Sequence, residues 1–542
     1  MGLMVNLPAL WSGFVWDDLA MRMGIQNHDQ GFEGGEETTW IFRPLVAFMF
    51  AGETRLNDWI YGELPPGDNT AILDVKRARV FHVTSLMIHV FSSMAVALFI
   101  YCCLAERENA LLGALFGGLV FAVHPVHTEN AIWISALADS LATLFLVTAL
   151  VTAYLGSTRK DPRLLIMCCI LFLLALLSKE TAITGVVLLP LFFWYKGVHK
   201  TEGGLGLRAP TLALLATTLV YFAARLFLSP LPSGCKRALS EVNFLEITKT
   251  CSFYFNKLIF PWTENPFITG PGQLSVSIIF IILAAAAAIH FSRRGENLYL
   301  FCMAWFFVSL SPAVLLLSNA FTVTQLAERY LYLPSVSFAL AIGGLSTYAG
   351  WRLLVVSGLI VAFGTTSFTN TRIWRTDVTL WTHVVKGSES GKTALPWLNL
   401  SYGYYRLDDL DNAEKYAAIS QQKNTKGDVN VTIKANRALG RINADRGARH
   451  AAAGNLQIAV GYYQTALGYY SANVNLEPDD IGTLEDAATI RARIAIINKA
   501  RTARPDLGNL EQALKLFERA AALAPDNQEI KKNIVDLKNI GR

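Results

Sequence analysis

Ten stretches of this sequence are too apolar to be left in water, and all of them fall before residue 370. Lipid offers no hydrogen-bond partners, so a single spanning segment must be a helix of about 20 apolar residues, within a range of about 17–25. The apolar runs predict spans over 79–104, 110–123, 131–155, 164–178, 181–195, 210–228, 274–291, 298–317, 331–350 and 353–369, of which the second and fifth are short. Residues 1–12 have the composition of the outer end of a further span, and the basic start of a cleavable leader is missing. Charge changes at the same border. Residues 1–369 hold 46 of the 89 Asp, Glu, Lys and Arg residues, whereas 370–542 hold 43, which restores the density of about 25% found in soluble proteins. Two materials are therefore joined near residue 370. This excludes a secreted enzyme, a disordered scaffold and a lone nucleic-acid binder, and a net charge of +5 is too small to call for a polyanionic partner. Of seven cysteines, only Cys235 and Cys251 share a polar loop, so at most one disulfide is expected.

Orientation follows from Lys and Arg, which are enriched in cytoplasmic loops. If 105–109 is cytoplasmic, alternation makes 156–163, 196–209, 292–297 and 351–352 cytoplasmic as well, and these 35 residues hold ten basic side chains. The opposite loops, 13–78, 124–130, 179–180, 229–273 and 318–330, hold eleven in 133 residues. An integral membrane protein with its C-terminal module on the extracytoplasmic side is expected.

The same alternation gathers the unusual polar residues on the outer face. These are Asp17 and Asp18 in the first outer loop, then His124, His127 and Glu129, then Lys179 and Glu180, and finally Glu328, Arg329 and Tyr330. Each group has a bland alternative. The aspartates could cap an interfacial helix, Lys179 and Glu180 could neutralise each other, and Arg329 with Tyr330 could anchor at the headgroups. His124, His127 and Glu129 could form an interfacial turn with a capping Glu, or could hold a divalent metal. Ionisable residues at a bilayer edge are costly, and several on one face point to a site. A carboxylate there can take a proton from an acceptor hydroxyl, while Arg and Lys hold a phosphate whose lipid tail lies between helices.

Residues 394–542 carry helical-repeat spacing. Trp397, Leu400, Tyr404 and Ala413 fall at tetratricopeptide offsets within 394–427, with Ser401 and Ser420 replacing the usual Gly and Ala. Leu510, Ala513, Phe517, Ala520 and Pro525 make a second match, and Leu456, Ala459, Tyr463 and Ala466 a third. About three helical pairs with a capping helix near 527–540 are expected, offering a concave surface for a protein or peptide. Residues 370–393, with Trp374, Arg375 and Trp381, read as an amphipathic connector at the membrane surface.

The ordered set Asp17-Asp18, Arg43-Pro44-Leu45, His124-Pro-x-His127-x-Glu129, Ser178-Lys179-Glu180 and Glu328-Arg329-Tyr330, followed by the repeats, resembles the transmembrane and tetratricopeptide-repeat-containing O-mannosyltransferases and their prokaryotic relatives. The resemblance covers nearly the whole chain. It implies an all-α fold, with a GT-C-like membrane domain of about 10–11 spans over 1–369, the connector over 370–393 and a tetratricopeptide solenoid over 394–542. It also implies a polyprenyl-phosphate sugar donor and a protein acceptor. Asp17 or Asp18 would be the base, and Arg329 with Lys179 would hold the donor phosphate. Arg43, His124, His127, Glu129, Glu180, Glu328 and Tyr330 would shape the pocket. The alternative, from a different class, is a non-catalytic membrane scaffold whose repeats dock a partner in a larger complex.

Overall fold

The computed structural model describes residues 1–18, 42–63, 75–198, 208–228, 244–270, 277–316, 326–387, 389–425 and 427–541. Cys235, and with it the expected Cys235–Cys251 pairing, lies outside the described residues. Among those described, regular structure is helical, with one isolated antiparallel bridge between Ile268 and Leu326. The chain forms two compact units, Met1–Leu380 and Trp381–Arg542.

In the first unit each of the ten apolar runs holds a helix. Among the described residues four are long and apolar enough to cross a membrane unaided: Val75–Leu104, Ile134–Arg159, Arg208–Leu228 and Trp351–Asn370. Ala110–Val123 and Pro125–Ile132 form a fifth together, bent by 54°. The bend has a local cause. Pro125 pushes His124 out of the helical region, to ψ 127°, and lacks the N–H that would continue the ladder. The remaining runs give shorter apolar helices such as Pro162–Ser178 and Ser335–Ser346. Arg208–Leu228 leaves Leu212, Leu219, Val220 and Phe227 exposed, a continuous apolar face suited to lipid and not to water.

The Val75–Leu104 helix lies at the centre, packed on Ala110–Val123 and on Leu137–Arg159. Ala110–Val123 meets Ser335–Ser346 through glycine. A Cβ on Gly117 would stand 2.6 Å from the Ala339 carbonyl oxygen, and one on Gly343 would stand 2.6 Å from that of Gly113, so larger residues would force the helices apart.

The second unit consists of three helical hairpins, Ala394–Arg406 with Leu410–Lys423, Val429–Ala452 with Leu456–Leu476, and Ile481–Thr502 with Leu507–Leu523, closed by Gln528–Gly541. The two serines that replace small residues tie the first hairpin together. Ser401 Oγ donates to the Ala413 carbonyl at 2.6 Å, and Ser420 Oγ donates to that of Ala394 at 2.9 Å. Both hydroxyls are buried and satisfied, so the departure from the usual repeat residues leaves no unmet donor. Within the expected connector the Trp374 and Trp381 rings are buried in the protein, at 0% and 1% exposure.

Candidate functional site

Short 3-10 turns carry the site: Pro125–His127, Ile134–Ala136, Glu180–Thr184 and Glu328–Leu331. In such a turn successive side chains diverge by about 120°. Glu328 and Arg329 therefore face different partners. Arg329 Nη1 donates to Glu129 Oε1 at 2.5 Å, and its backbone N–H donates to Glu129 Oε2 at 2.9 Å. The guanidinium lies over the Trp133 ring at 4.8 Å and over Tyr330 at 5.1 Å. Glu328 turns away and accepts from Lys257 Nζ at 2.7 Å and from the Asn265 N–H at 2.9 Å.

Lys179 and Glu180 do not neutralise each other. Lys179 Nζ donates to both oxygens of Asp139, at 2.7 and 2.6 Å, and sits over the Tyr330 ring at 5.0 Å. Glu180 receives a forked pair from Arg43, Nε to Oε2 at 3.3 Å and Nη2 to Oε1 at 3.0 Å. The fork matches guanidinium to carboxylate. Tyr330 thus stands between the Lys179 and Arg329 cations.

Asp17 and Asp18 are distinguished by their partners. Asp18 is buried and saturated: Oδ1 accepts from the Ser135 N–H at 3.0 Å and the Ser135 hydroxyl at 2.9 Å, while Oδ2 accepts from the Val15 N–H at 3.0 Å. Asp17 as a residue is partly buried, while its Oδ1 is itself enclosed and has no hydrogen-bond partner among the described residues. Burial raises the Asp17 carboxyl above the ordinary carboxylate range, opposed by the nearby Ser135 hydroxyl and by the Arg329 charge. For Asp18 burial and the Asp17 charge both raise it, against the Val15 and Ser135 donors. Before them, Trp16 has φ 56°, a left-handed conformation that costs a non-glycine residue about 1–3 kcal/mol. Its ring stacks on Trp133 at 4.9 Å with an interplanar angle of 14°. Trp133 therefore lies beside both the Asp17 loop and Arg329.

The histidines do not line this cluster. His124 Nε2 lies 3.0 Å from the Leu258 carbonyl oxygen, while His127 Nδ1 lies 2.8 Å from that of Phe121 and its Nε2 lies 2.8 Å from Ser335 Oγ. With Glu129 given to Arg329, the three residues expected as a metal site or outer pocket act as internal struts. Among the described residues no group of three or more His, Cys, Asp or Glu is placed to hold a metal ion.

A small cavity of about 30 Å³ lies beside the cluster. Asp139, Thr181, Ser309 and Tyr330 give it a polar lining, and Ala142, Leu146, Ala313 and Leu333 an apolar one. Asp139 was not among the residues expected from the motifs. Its signal was present, since it is the sole charged residue in the apolar run 131–155. Trp133 carried no comparable mark, because a tryptophan in an apolar run reads equally well as core.

These features describe an all-helical membrane protein with a paired-charge site and a helical-repeat body. No protein-family model matches the chain. It is similar to Protein O-mannosyl-transferase Tmtc1 of Drosophila melanogaster, 30% identical over 156 residues that make up 29% of this chain and 16% of the fly protein. It is also similar to Protein O-mannosyl-transferase TMTC3 of Homo sapiens, 21% identical over 590 aligned positions covering 96% of this chain, and to TMTC3 of Mus musculus, 21% identical over 601 positions with the same coverage. The chain spans 59% of the length of each of those two proteins. The distant likeness supports a glycosyltransferase-like role in an integral membrane protein.

Proposed function

We propose that the chain is an inverting glycosyltransferase of GT-C type that moves mannose from a polyprenyl-phosphate donor to a Ser or Thr hydroxyl of a protein on the extracytoplasmic side. One observation carries this reading above the others: Asp17, whose Oδ1 has no hydrogen-bond partner among the described residues, directly follows Trp16, whose ring stacks on the same Trp133 that the Arg329 guanidinium covers. In the transfer the acceptor hydroxyl gives its proton to Asp17 and its oxygen bonds to the anomeric carbon. The bond from that carbon to the phosphate breaks, and its electrons leave on the lipid phosphate. Arg329 and Lys179 stabilise the departing charge. Glu129 and Asp139 keep these cations ordered before the donor arrives. The small cavity beside Tyr330 has room for little more than a water, so the donor phosphate would lie against the Arg329 and Lys179 cations on either side of Tyr330. The helical repeats would present the acceptor polypeptide.

The decisive assay is mannose transfer by the purified full chain in liposomes, from polyprenyl-phosphate mannose to a pool of Thr-containing peptides. Absence of transfer, with donor that a known transferase consumes, would exclude the reading. Its pH dependence is a second expectation. Because burial favours the protonated form of Asp17, transfer rises with pH along a limb whose midpoint lies above the ordinary carboxylate range. A limb at or below the range of an exposed aspartate would count against Asp17 as the base.

The third expectation concerns topology and rests on the loop charges. A membrane-impermeant thiol reagent applied from outside should label single cysteines placed at Asn265 or in the repeats, and leave one at Arg159 untouched. The opposite pattern would reverse the proposed side of the membrane.

A further inference from the structure

The residue before Asp17 is gripped from the far end of the same compact unit. Gly13 N–H donates to the Arg375 carbonyl at 3.0 Å, and Trp16 N–H donates to Asp377 Oδ1 at 2.7 Å. Trp374 stacks on Trp133 at 5.8 Å, and Trp133 in turn stacks on Trp16. Trp374 is fully buried, and its Nε1 donates to Glu264 Oε1, so this anchor is itself fixed. The grip falls on Trp16, which holds the left-handed φ of 56°. A bulky residue keeps such a conformation only where its surroundings over-determine it. Here a carboxylate holds its N–H and a tryptophan holds its ring. The backbone angles of Trp16 set where the next Cα projects its side chain, and the next residue is Asp17.

We propose that Asp377 is a positioning residue for Asp17: by accepting the Trp16 N–H it maintains the left-handed turn that aims the Asp17 carboxylate at the acceptor hydroxyl. The inference rests on the reading of Asp17 as the base. It adds a residue 360 positions away in the chain that touches neither substrate nor reacting atoms. Since a misplacement of about 1 Å can lower turnover by about 10²-fold, losing this hold shows in turnover and not in donor affinity.

The test uses the full chain in liposomes, with polyprenyl-phosphate mannose and the Thr-peptide pool. Asp377→Ala should lower kcat by at least about tenfold with the donor KM within about twofold of the parent. Asp377→Asn keeps an oxygen that can accept the Trp16 N–H, so it should restore kcat to within about threefold. Amide hydrogen exchange supplies a readout free of activity, in which residues 13–18 should exchange at least about tenfold faster in the Ala variant and at the parent rate in the Asn variant. Parent kcat in Asp377→Ala, equal defects in Ala and Asn, or unchanged exchange would each overturn the proposal. Should Asp377→Ala be unstable in detergent, Asp377→Ser is measured against the same limits, its hydroxyl being too short to reach the Trp16 N–H. A parent chain that transfers no mannose defeats the base reading of Asp17 instead, and the exchange measurement alone then decides whether Asp377 orders the loop.

Discussion

Asp17→Asn should lower mannose transfer by at least about 10²-fold, the usual contribution of a general base, and leave the folded protein as stable as the parent. Asp18→Asn should do the reverse. The Asp17 carboxylate has an oxygen without a partner, so an amide in its place breaks no hydrogen bond at that atom. The Asp18 carboxylate accepts from Ser135 twice and from Val15 once. An Asn side chain offers one oxygen and one NH2, so it must point a donor at a donor on one side of the loop. Leaving a buried N–H unmet costs about 1–3 kcal/mol, which should appear as a lowered melting temperature. Transfer per folded Asp18→Asn molecule should stay within about tenfold of the parent, since the loss is one of support and not of chemistry. Thermal unfolding and turnover measured on the same preparations separate the two effects. If Asp18→Asn folds like the parent and loses turnover while Asp17→Asn keeps it, the roles of the two carboxylates are exchanged.

That distinction was not legible in the sequence, and the reason is physical. Two adjacent acids in a loop are equivalent until the backbone angles between them are known, and here a left-handed tryptophan decides which one meets Ser135. The helices were legible. A run of about 20 apolar residues has few alternatives in lipid, and each predicted run does hold a helix. Their lengths were less so, because Pro125 and the 3-10 turns stop several runs early. Within the site, grouping by membrane side brought Arg329 and Glu129 onto one list, and they meet at 2.5 Å. The same grouping could not tell that Glu328, next to Arg329, turns toward Lys257, because direction within a turn is set by about 120° per residue and not by membrane side. His124 and His127 failed as pocket residues for a related reason. Histidine pairs at this spacing attract a metal reading, yet Pro125 leaves the Phe121 carbonyl without its helical N–H and the His127 ring lies against it, while the His124 ring meets the Leu258 carbonyl near the end of the Phe244–Ile259 helix. Nor could spacing show that Lys179 prefers Asp139, 40 residues earlier, to the Glu180 beside it.

The pairing of Arg329 with Glu129 leads to the second large expectation, an asymmetry between the two partners. Glu129 is 2% exposed at its side chain and Arg329 is 14% exposed. Breaking a buried pair by removing one member commonly costs about 3–5 kcal/mol, because the other charge is left without compensation. Both Glu129→Ala and Arg329→Ala should therefore lower the melting temperature of the full chain. They should differ when donor is added. In Glu129→Ala the guanidinium is still present over Trp133 and Tyr330 and lacks its anion, so a lipid phosphate can take the vacated place. Polyprenyl-phosphate mannose should then raise the melting temperature of Glu129→Ala by more than it raises that of the parent, because binding to the folded state alone stabilises it by mass action. In Arg329→Ala the clamp itself is gone, the donor-dependent shift should be lost, and transfer should fall together with donor affinity, since the phosphate charge exists in both ground and transition states. A simple structural ion pair predicts no such asymmetry, as neither variant would respond to donor differently from the parent. An Arg329→Ala protein that keeps the full donor-dependent shift would remove Arg329 from the phosphate site, and Lys179 and Arg43 would remain as its basic candidates among the described residues.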